Sequence, residues 1–570
     1  MSGLFARLRR GGRSVVAPLN SSLVLTAGRR VPEDAGGVRA STTVGRWPRR
    51  RTISVREWTG DVAEDRPSTA VLTELLDDLA PRLDSSERSA LHDAILDAVR
   101  ADLDGENSYA LSKSLKLIRE RLRNPAPELK LDSGEPVVVD HMRMVDDRSL
   151  WISGWCIGGD DTLGRLYLIS PEGFRSGPFE GSFRYPRPDI EELWPETGTN
   201  HGFTRYLELS ASTHLSAGWL GELHHPSGSH FQLEMPPVIR EPAQTRGSIL
   251  VEASADLPAI ETMRREHAQR ALSRVQAHIR RGVTVESAVQ HGKPPASPEV
   301  SVIVPLYERI DLLEHQLAHF WQDPDFADAE LIYVLDSPQL APFLMGPAAE
   351  LHTLYGIPFK LLQLNRNAGF AGANNIAAAQ ARGRLLVLLN SDVLPVRSGW
   401  LETMRAFHSA TPNIGALGPK LLYEDESIQH AGMYFQMDPA SRLWENQHYF
   451  KGFSRSLASA NVTRVVPAVT GACLMVEREL FNEVGGLCED YIQGGYEDSD
   501  LCLRLIEAGR DNWYIAAAEL YHLEAQSFPI TLRSTNPYNA WLQTHLWSDR
   551  IEQVMRTDAE GAQPHLVPVA

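Results

Sequence analysis

The apolar run Leu385-Leu386-Val387-Leu388-Leu389 halts abruptly on Asn390, Ser391 and Asp392. Five consecutive apolar residues fit a strand buried on both faces. A carboxylate just past the carboxyl end of such a strand lies where open α/β sheets bind ligands. Asp392 could therefore hold a metal ion or a polar ligand, although Asn, Ser and Asp also simply make turns. Further along, Gly494-Gly495-Tyr496 precedes Glu497, Asp498 and Asp500. The spacing of Leu501, Leu505 and Ile506 predicts a helix ended near Gly509, so the three acids crowd its first turn. One acid there would be a cap or would offset the helix dipole. Three beside two glycines exceed that need and could include a general base. His522, after Tyr521, could ligate a metal through a neutral ring nitrogen, or could be a polar residue with no such role.

The elements that must position these residues alternate between strand and helix over 299–530. Strands are predicted at Val300–Val304, Leu331–Leu335, Lys360–Leu364 and Leu385–Leu389, and helices at Leu312–Trp321 and Asn374–Ala381. The strand-like Trp513-Tyr514-Ile515 precedes His522. This alternation predicts an α/β fold: a mostly parallel sheet with helices on both faces. Parallel strands bring four carboxyl ends to one edge: Pro305-Leu306-Tyr307-Glu308, Asp336-Ser337, Asn365 to Gly372, and Asn390-Ser391-Asp392. The Gly- and Asn-rich loop opening a helix suits a nucleotide phosphate, because small residues admit close backbone approach and helix amino ends favour anions. It is neither a P-loop nor a G-x-G-x-x-G fingerprint, and an ordinary strand–helix turn accounts for it equally well.

The remaining chain divides by composition. Residues 1–60 carry twelve Arg and no Lys against Glu33, Asp34 and Glu57, a balance of +9, which leaves −26 for the rest of a chain totalling −17. An acidic body argues against a nucleic-acid partner. The Arg-rich start reads as a disordered segment, with peripheral contact to an anionic membrane or an organelle transit peptide as alternatives. Residues 61–130 read as a helical segment and 131–242 as a small β-sandwich of short strands between turn residues. The sandwich is dense in aromatics, from Trp151 and Trp155 to Trp194 and Phe203. Such residues could line a sugar-binding face but are more often core. Residues 243–298 form a helical connector and 531–570 a C-terminal helix and tail. No apolar run approaches the ~18 residues of a membrane span. Four cysteines without C-x-x-C spacing fit a reducing compartment.

Taken in order, Val-Ser-Val-Ile-Val-Pro-Leu-Tyr, Asn-Arg-Asn-Ala-Gly-Phe-Ala-Gly-Ala-Asn-Asn, Leu-Leu-Asn-Ser-Asp-Val, Thr470-Gly471-Ala472-Cys473-Leu474-Met475, Tyr-Glu-Asp-Ser-Asp-Leu-Cys and Tyr-His resemble family 2 glycosyltransferases, in their rhamnosyltransferase-like branch. The resemblance spans about residues 299–527. It implies a GT-A fold and inverting sugar transfer from a nucleoside diphosphate donor, such as dTDP-rhamnose or a UDP-sugar, to a saccharide or glycolipid hydroxyl. It also implies a cytoplasmic enzyme of cell-surface polysaccharide synthesis, at most peripheral to the inner face of the plasma membrane. By position it makes Asp498 the base with Glu497 as fallback, and Asp392 and His522 the ligands of Mn²⁺ or Mg²⁺. Asn390 replaces the first acid of the usual Asp-x-Asp, with Ser391 between. Asp336 falls on the nucleobase or ribose contact. Pro305, Tyr307, Asn367, Gly369 and Asn374 fall on the donor side, and Thr470, Gly471 and Ala472 on the acceptor side. Residues 131–242 resemble, more weakly, the β-sandwich modules appended to some bacterial glycosyltransferases, through Arg187-Pro188-Asp189-Ile190 and Gly202-Phe203.

Two other classes share parts of this pattern. A sugar nucleotidyltransferase would need a basic Gly-rich loop after the first strand, where Pro305-Leu306-Tyr307-Glu308 stands. A degenerate transferase serving as a carbohydrate-binding or scaffold protein fits Asn390 better than it fits Asp392, Asp498 and His522 together.

Overall fold

The computed structural model describes residues 15–18, 23–28, 35–44, 51–58, 137–170, 175–195, 200–209, 219–224, 230–492, 494–523 and 536–561. The chain divides into two compact units, Met1–Ser133 and Gly134–Ala570. The expected helical segment 61–130 lies outside the described residues.

Within residues 1–60, where a disordered segment was expected, the described residues are strands. Strands Val15–Pro18, Leu23–Gly28, Ala35–Val44 and Arg51–Trp58 form an antiparallel sheet in which the fourth lies between the second and third. The Gly, Ser and Arg content masked short runs rich in Val, Ile and Thr, such as Leu23-Val24-Leu25-Thr26 and Thr52-Ile53-Ser54-Val55, which suit a pleated strand.

The second unit opens with a two-sheet sandwich. One sheet orders Val238–Ile239, Val137–Asp146, Ser149–Cys156, Gly202–Glu208 and Phe183–Tyr185, and the other orders His230–Glu234, Leu220–His224 and Leu166–Ile169. Trp151, Phe183 and Phe203 are buried, so these aromatics are core, whereas Trp155 and Trp194 form a tilted pair nearer the surface. The helices Pro242–Ala253 and Gln269–Arg281 follow.

Among the described residues the large sheet holds eleven strands: β1 (Val285–His291), β2 (Val300–Leu306), β3 (Glu330–Leu335), β4 (Phe359–Leu364), β5 (Leu385–Leu389), β6 (Val393–Pro395), β7 (Ile414–Leu422), β8 (Ile428–His430), β9 (Arg464–Val465), β10 (Cys473–Glu477) and β11 (Asp511–His522). Its main path is β1-β4-β3-β2-β5-β10-β7-β11-β6, with β8 on β7 and β9 on β11. The four strands read from sequence, β4-β3-β2-β5, are parallel neighbours. β1 falls inside what was read as a purely helical connector; its half-buried, alternating Val285-Glu286-Ser287-Ala288-Val289 suits an antiparallel edge strand on β4.

Both faces of the sheet are covered. Helices α1 (Leu312–Phe320), α2 (Ala341–Tyr355) and α4 (Trp400–Ala410) share one core with Leu385, Val387 and Leu389. Helices α3 (Gly369–Ala378) and α5 (Glu497–Glu507) share the other with Leu386 and Leu388. Side chains alternate across a strand, so an apolar run unbroken by polar residues is what two covered faces demand. Helix α6 (Asn536–Gly561) packs beside α5. Helix α3 begins at Gly369, five residues before the expected Asn374, because Asp336 caps its amino end.

Candidate active site

The two residues expected to bind metal meet through strand pairing. β6 runs antiparallel to β11, with Val393 opposite His522, so the turn after β5 is stitched to a residue 130 positions away. His522 lies within β11 rather than after it, as the sequence had predicted. Its Nε2 stands 3.3 Å from Asp392 Oδ1, and the Asn390 amide nitrogen is 3.5 Å from the same ring atom. Ser391 and Asp392 are buried beside it. The Leu523 N–H donates to the Asp392 carbonyl at 3.0 Å. From behind, the buried Gln316 of α1 donates to the carbonyls of Asn390 (2.9 Å) and Val393 (3.0 Å), fixing the turn at both ends.

These side chains fit a hard divalent cation: one carboxylate oxygen and one imidazole nitrogen face each other. Among the described residues no three His, Cys, Asp or Glu side chains converge, so further ligands would come from a bound anion or solvent.

The acids of α5 separate by environment. Asp500 is tied down, accepting from Arg504 Nε and Trp547 Nε1 at 2.8 Å each. Glu497 is buried, its Oε2 has no hydrogen-bond partner among the described residues, and burial, with Asp498 alongside, pushes its carboxyl up to about 8. Asp498 is half-buried. Burial raises it, while the Gly471 N–H (2.8 Å), the Ser499 N–H (2.7 Å) and the Thr470 hydroxyl stabilise its ionised form. Gly471 eases this approach: a Cβ there would come within 3.3 Å of Asp498 Cβ and 3.4 Å of the Phe370 ring, a tight fit. The same turn reaches the metal corner, because the Asn390 N–H donates to the Ala472 carbonyl at 2.9 Å. Asp392, His522, Thr470–Ala472 and Asp498 thus form one continuous site. Thr470 and Gly471 bind the Asp498 carboxylate.

The backbone ahead of α5 is contorted. Gly494, Gly495 and Tyr496 all have positive φ, at 102°, 90° and 83°. For Tyr this is a strained conformation that surrounding structure must enforce. The Tyr496 ring is buried in a cluster with Tyr491, Trp541 and Ile249, and Asn539 of α6 donates to the carbonyls of Ile492, Gly494 and Gly495 at 3.1–3.3 Å.

The donor-side residues divide. Pro305 and Tyr307 are half-buried at the end of β2, and Asn367 is exposed. Asp336 is buried and accepts from the Ala368 N–H (2.5 Å), the Gly369 N–H (3.0 Å) and the Asn367 amide (2.8 Å). Burial still pushes its carboxyl up to about 7. Its oxygens hold the loop that opens α3, with Gly369 at φ 75°. Asn374 is fully buried and donates to the Phe370 carbonyl at 2.9 Å, so it supports α3 from inside instead of lining the donor side.

Four positioning residues escaped the sequence reading. Gln316 lies on α1 and Asn539 on α6. On β8, Gln429 accepts from His522 Nδ1 at 2.8 Å, while the adjacent His430 accepts from the Thr470 N–H at 3.3 Å and donates through Nδ1 to the Pro419 carbonyl at 2.9 Å. Ile428-Gln429-His430 has no period that marks it, and only polar residues inside an apolar stretch could have drawn notice.

An Asp–His pair and a half-buried carboxylate thus stand together at the carboxyl edge of an α/β sheet covered on both faces. Residues 301–485 match the family model of glycosyl transferase family 2. Residues 451–524 also match the N-terminal domain of galactosyltransferase. Among curated relatives, the uncharacterized protein y4gI of Sinorhizobium fredii is 31% identical over 241 residues, covering 40% of this chain and 25% of that protein. The O-antigen biosynthesis protein RfbC of Myxococcus xanthus is 30% identical over 238 residues, covering 40% and 18%. The N-acetylglucosaminyl-diphospho-decaprenol L-rhamnosyltransferase of Mycobacterium tuberculosis is 28% identical over 190 residues, covering 30% and 60%. The chain therefore spans a quarter or less of the length of the first two relatives. Among the described residues no helix is long and apolar enough to cross a membrane.

Proposed function

We propose that this protein is an inverting glycosyltransferase that moves a sugar from a nucleoside diphosphate donor to a hydroxyl of a saccharide or glycolipid in cell-surface polysaccharide synthesis. The observation that carries the reading is the continuity of Asp392–His522 with Asp498 through the Thr470–Ala472 turn. Asp498 accepts the acceptor hydroxyl's proton as its oxygen bonds to the anomeric carbon, and the bond from that carbon to the diphosphate oxygen breaks. Attack opposite the leaving group inverts the centre, and the nucleoside diphosphate departs with the electron pair. Asp392 and His522 would hold Mn²⁺ or Mg²⁺, which when bound offsets charge on the diphosphate as a Lewis acid. Tyr307 and the loop that Asp336 shapes line the nucleoside end. The rhamnosyltransferase among the relatives makes dTDP-rhamnose the first donor to try, followed by UDP-sugars.

The test is release of nucleoside diphosphate from a panel of sugar nucleotides by the full chain, with Mn²⁺ and with chelator. Metal-dependent turnover of at least one donor is expected. Neither turnover nor binding with any donor would leave only a scaffold or carbohydrate-binding role.

A further inference from the structure

The metal reading leaves one question about His522. An imidazole ligates through one ring nitrogen, and the hydrogen bond made by the other decides which. Gln429 Oε1 lies 2.8 Å from His522 Nδ1. A carbonyl oxygen can only accept there, so Nδ1 carries a hydrogen, and in the neutral ring the Nε2 lone pair faces Asp392 Oδ1, 3.3 Å away. Gln429 is itself buried at 4% exposure, which leaves little room for a competing solvent partner. Its strand is anchored on the far side of the site, where His430 is fully buried between the Pro419 carbonyl and the Thr470 N–H. The geometry points to Gln429 as a positioning residue that locks His522 in the Nδ1–H tautomer and aims Nε2 at the metal position. This inference rests on the proposed role of His522.

Three variants of the full chain test it: Gln429→Leu, Gln429→Glu and His522→Ala. Each is titrated with Mn²⁺ alone, reading the free-ion signal by electron paramagnetic resonance. Nitrogen NMR of ¹⁵N-histidine in the metal-free protein reports the His522 tautomer, with His522→Ala assigning the resonance. Partners that orient a ligating His typically contribute about 10–100-fold in metal affinity. Gln429→Leu should weaken Mn²⁺ by that range and mix the tautomers, while Gln429→Glu, which keeps the acceptor, should restore both. If His522→Ala leaves Mn²⁺ affinity unchanged, the metal role of His522 falls and this inference with it. If His522→Ala weakens Mn²⁺ but Gln429→Leu changes neither affinity nor tautomer, only the inference falls. Should Gln429→Leu fail to fold, wild-type tautomer NMR decides alone, and Nε2–H as the main form overturns the proposal.

Discussion

Replacing Asp498 by Asn and Glu497 by Gln in parallel should separate two adjacent acids that sequence alone leaves as rival bases. Asn cannot take a proton, and a positioned general base contributes about 10²–10⁴-fold, equivalent to roughly 3–5 kcal/mol of barrier. Asp498→Asn should therefore lower kcat by that factor. It still offers an oxygen to the Gly471 N–H, which now donates at 2.8 Å, so the fold should lose no more than about 1.5 kcal/mol, the scale of one hydrogen bond. Glu497 differs because burial holds its carboxyl up at about 8, so near pH 7 it is chiefly neutral. Gln copies that neutral form, and Glu497→Gln should cost less than about tenfold, or 1.4 kcal/mol. The assay is nucleoside diphosphate release at saturating donor and acceptor, with thermal melts of both variants. In wild type the rate should rise with pH as the pair first loses a proton, and Asp498→Asn should abolish that limb. Equal losses in the two variants, or full activity in Asp498→Asn, would refute the assignment.

The same burial makes stability depend on pH. Glu497 is raised above its ordinary value of 4.5, so the folded state keeps a proton that the unfolded chain releases. Its contribution is intact below about 4.5 and is lost as pH climbs to about 8. Thermal melts across that window should fall for wild type and fall less for Glu497→Gln. Gly495→Ala isolates backbone strain, since φ is 90° and no atom lies within 4 Å of the new Cβ. It should cost about 1–2 kcal/mol of stability and lower kcat with donor KM unchanged, as steady-state kinetics would read. Asn539→Leu strips three carbonyls of their donor, at about 1–3 kcal/mol for each buried group left unsatisfied. Limited proteolysis should then find cleavage near Gly494 that wild type resists.

What was legible in the sequence was what short-range pattern encodes. β2 to β5 each carry an apolar run, and their order along the chain gives the parallel edge where Asp336 and Asp392 end. The period-3.6 pattern after Gly495 likewise marked α5 and its three acids. Side-chain direction was not legible. Asp336 and Asn374 share loop or helix positions with ligand-facing residues, yet one caps α3 and the other sits inside it, choices made by packing and not by spacing. The pairing of β6 with β11 was hidden as well, because Val393-Leu394-Pro395 is too short to announce a strand, and it is this pairing that brings His522 to Asp392.

The contorted turn before α5 explains why elements without catalytic side chains belong to the site's physics. A run of three positive φ angles ending on Tyr496 cannot persist on local preference, since an L-residue there costs about 1–2 kcal/mol. The compensation comes from burial of the Tyr496 ring among Tyr491, Trp541 and Ile249, and fully burying one large side chain contributes about 1.5–3 kcal/mol. That cluster takes Trp151 from the sandwich, Leu272 from the helix after it and Tyr538 from α6. Glu252, largely buried near the end of its helix, ties the layers further by accepting from Trp151 Nε1 and the Thr204 hydroxyl at 2.9 Å each. The sandwich, the connector and the last helix therefore meet beneath the loop that presents Asp498. Loosening any of them should let the turn relax and carry Asp498 out of register with Gly471, while Asp392 and His522, held by the β6–β11 pairing, stay in place.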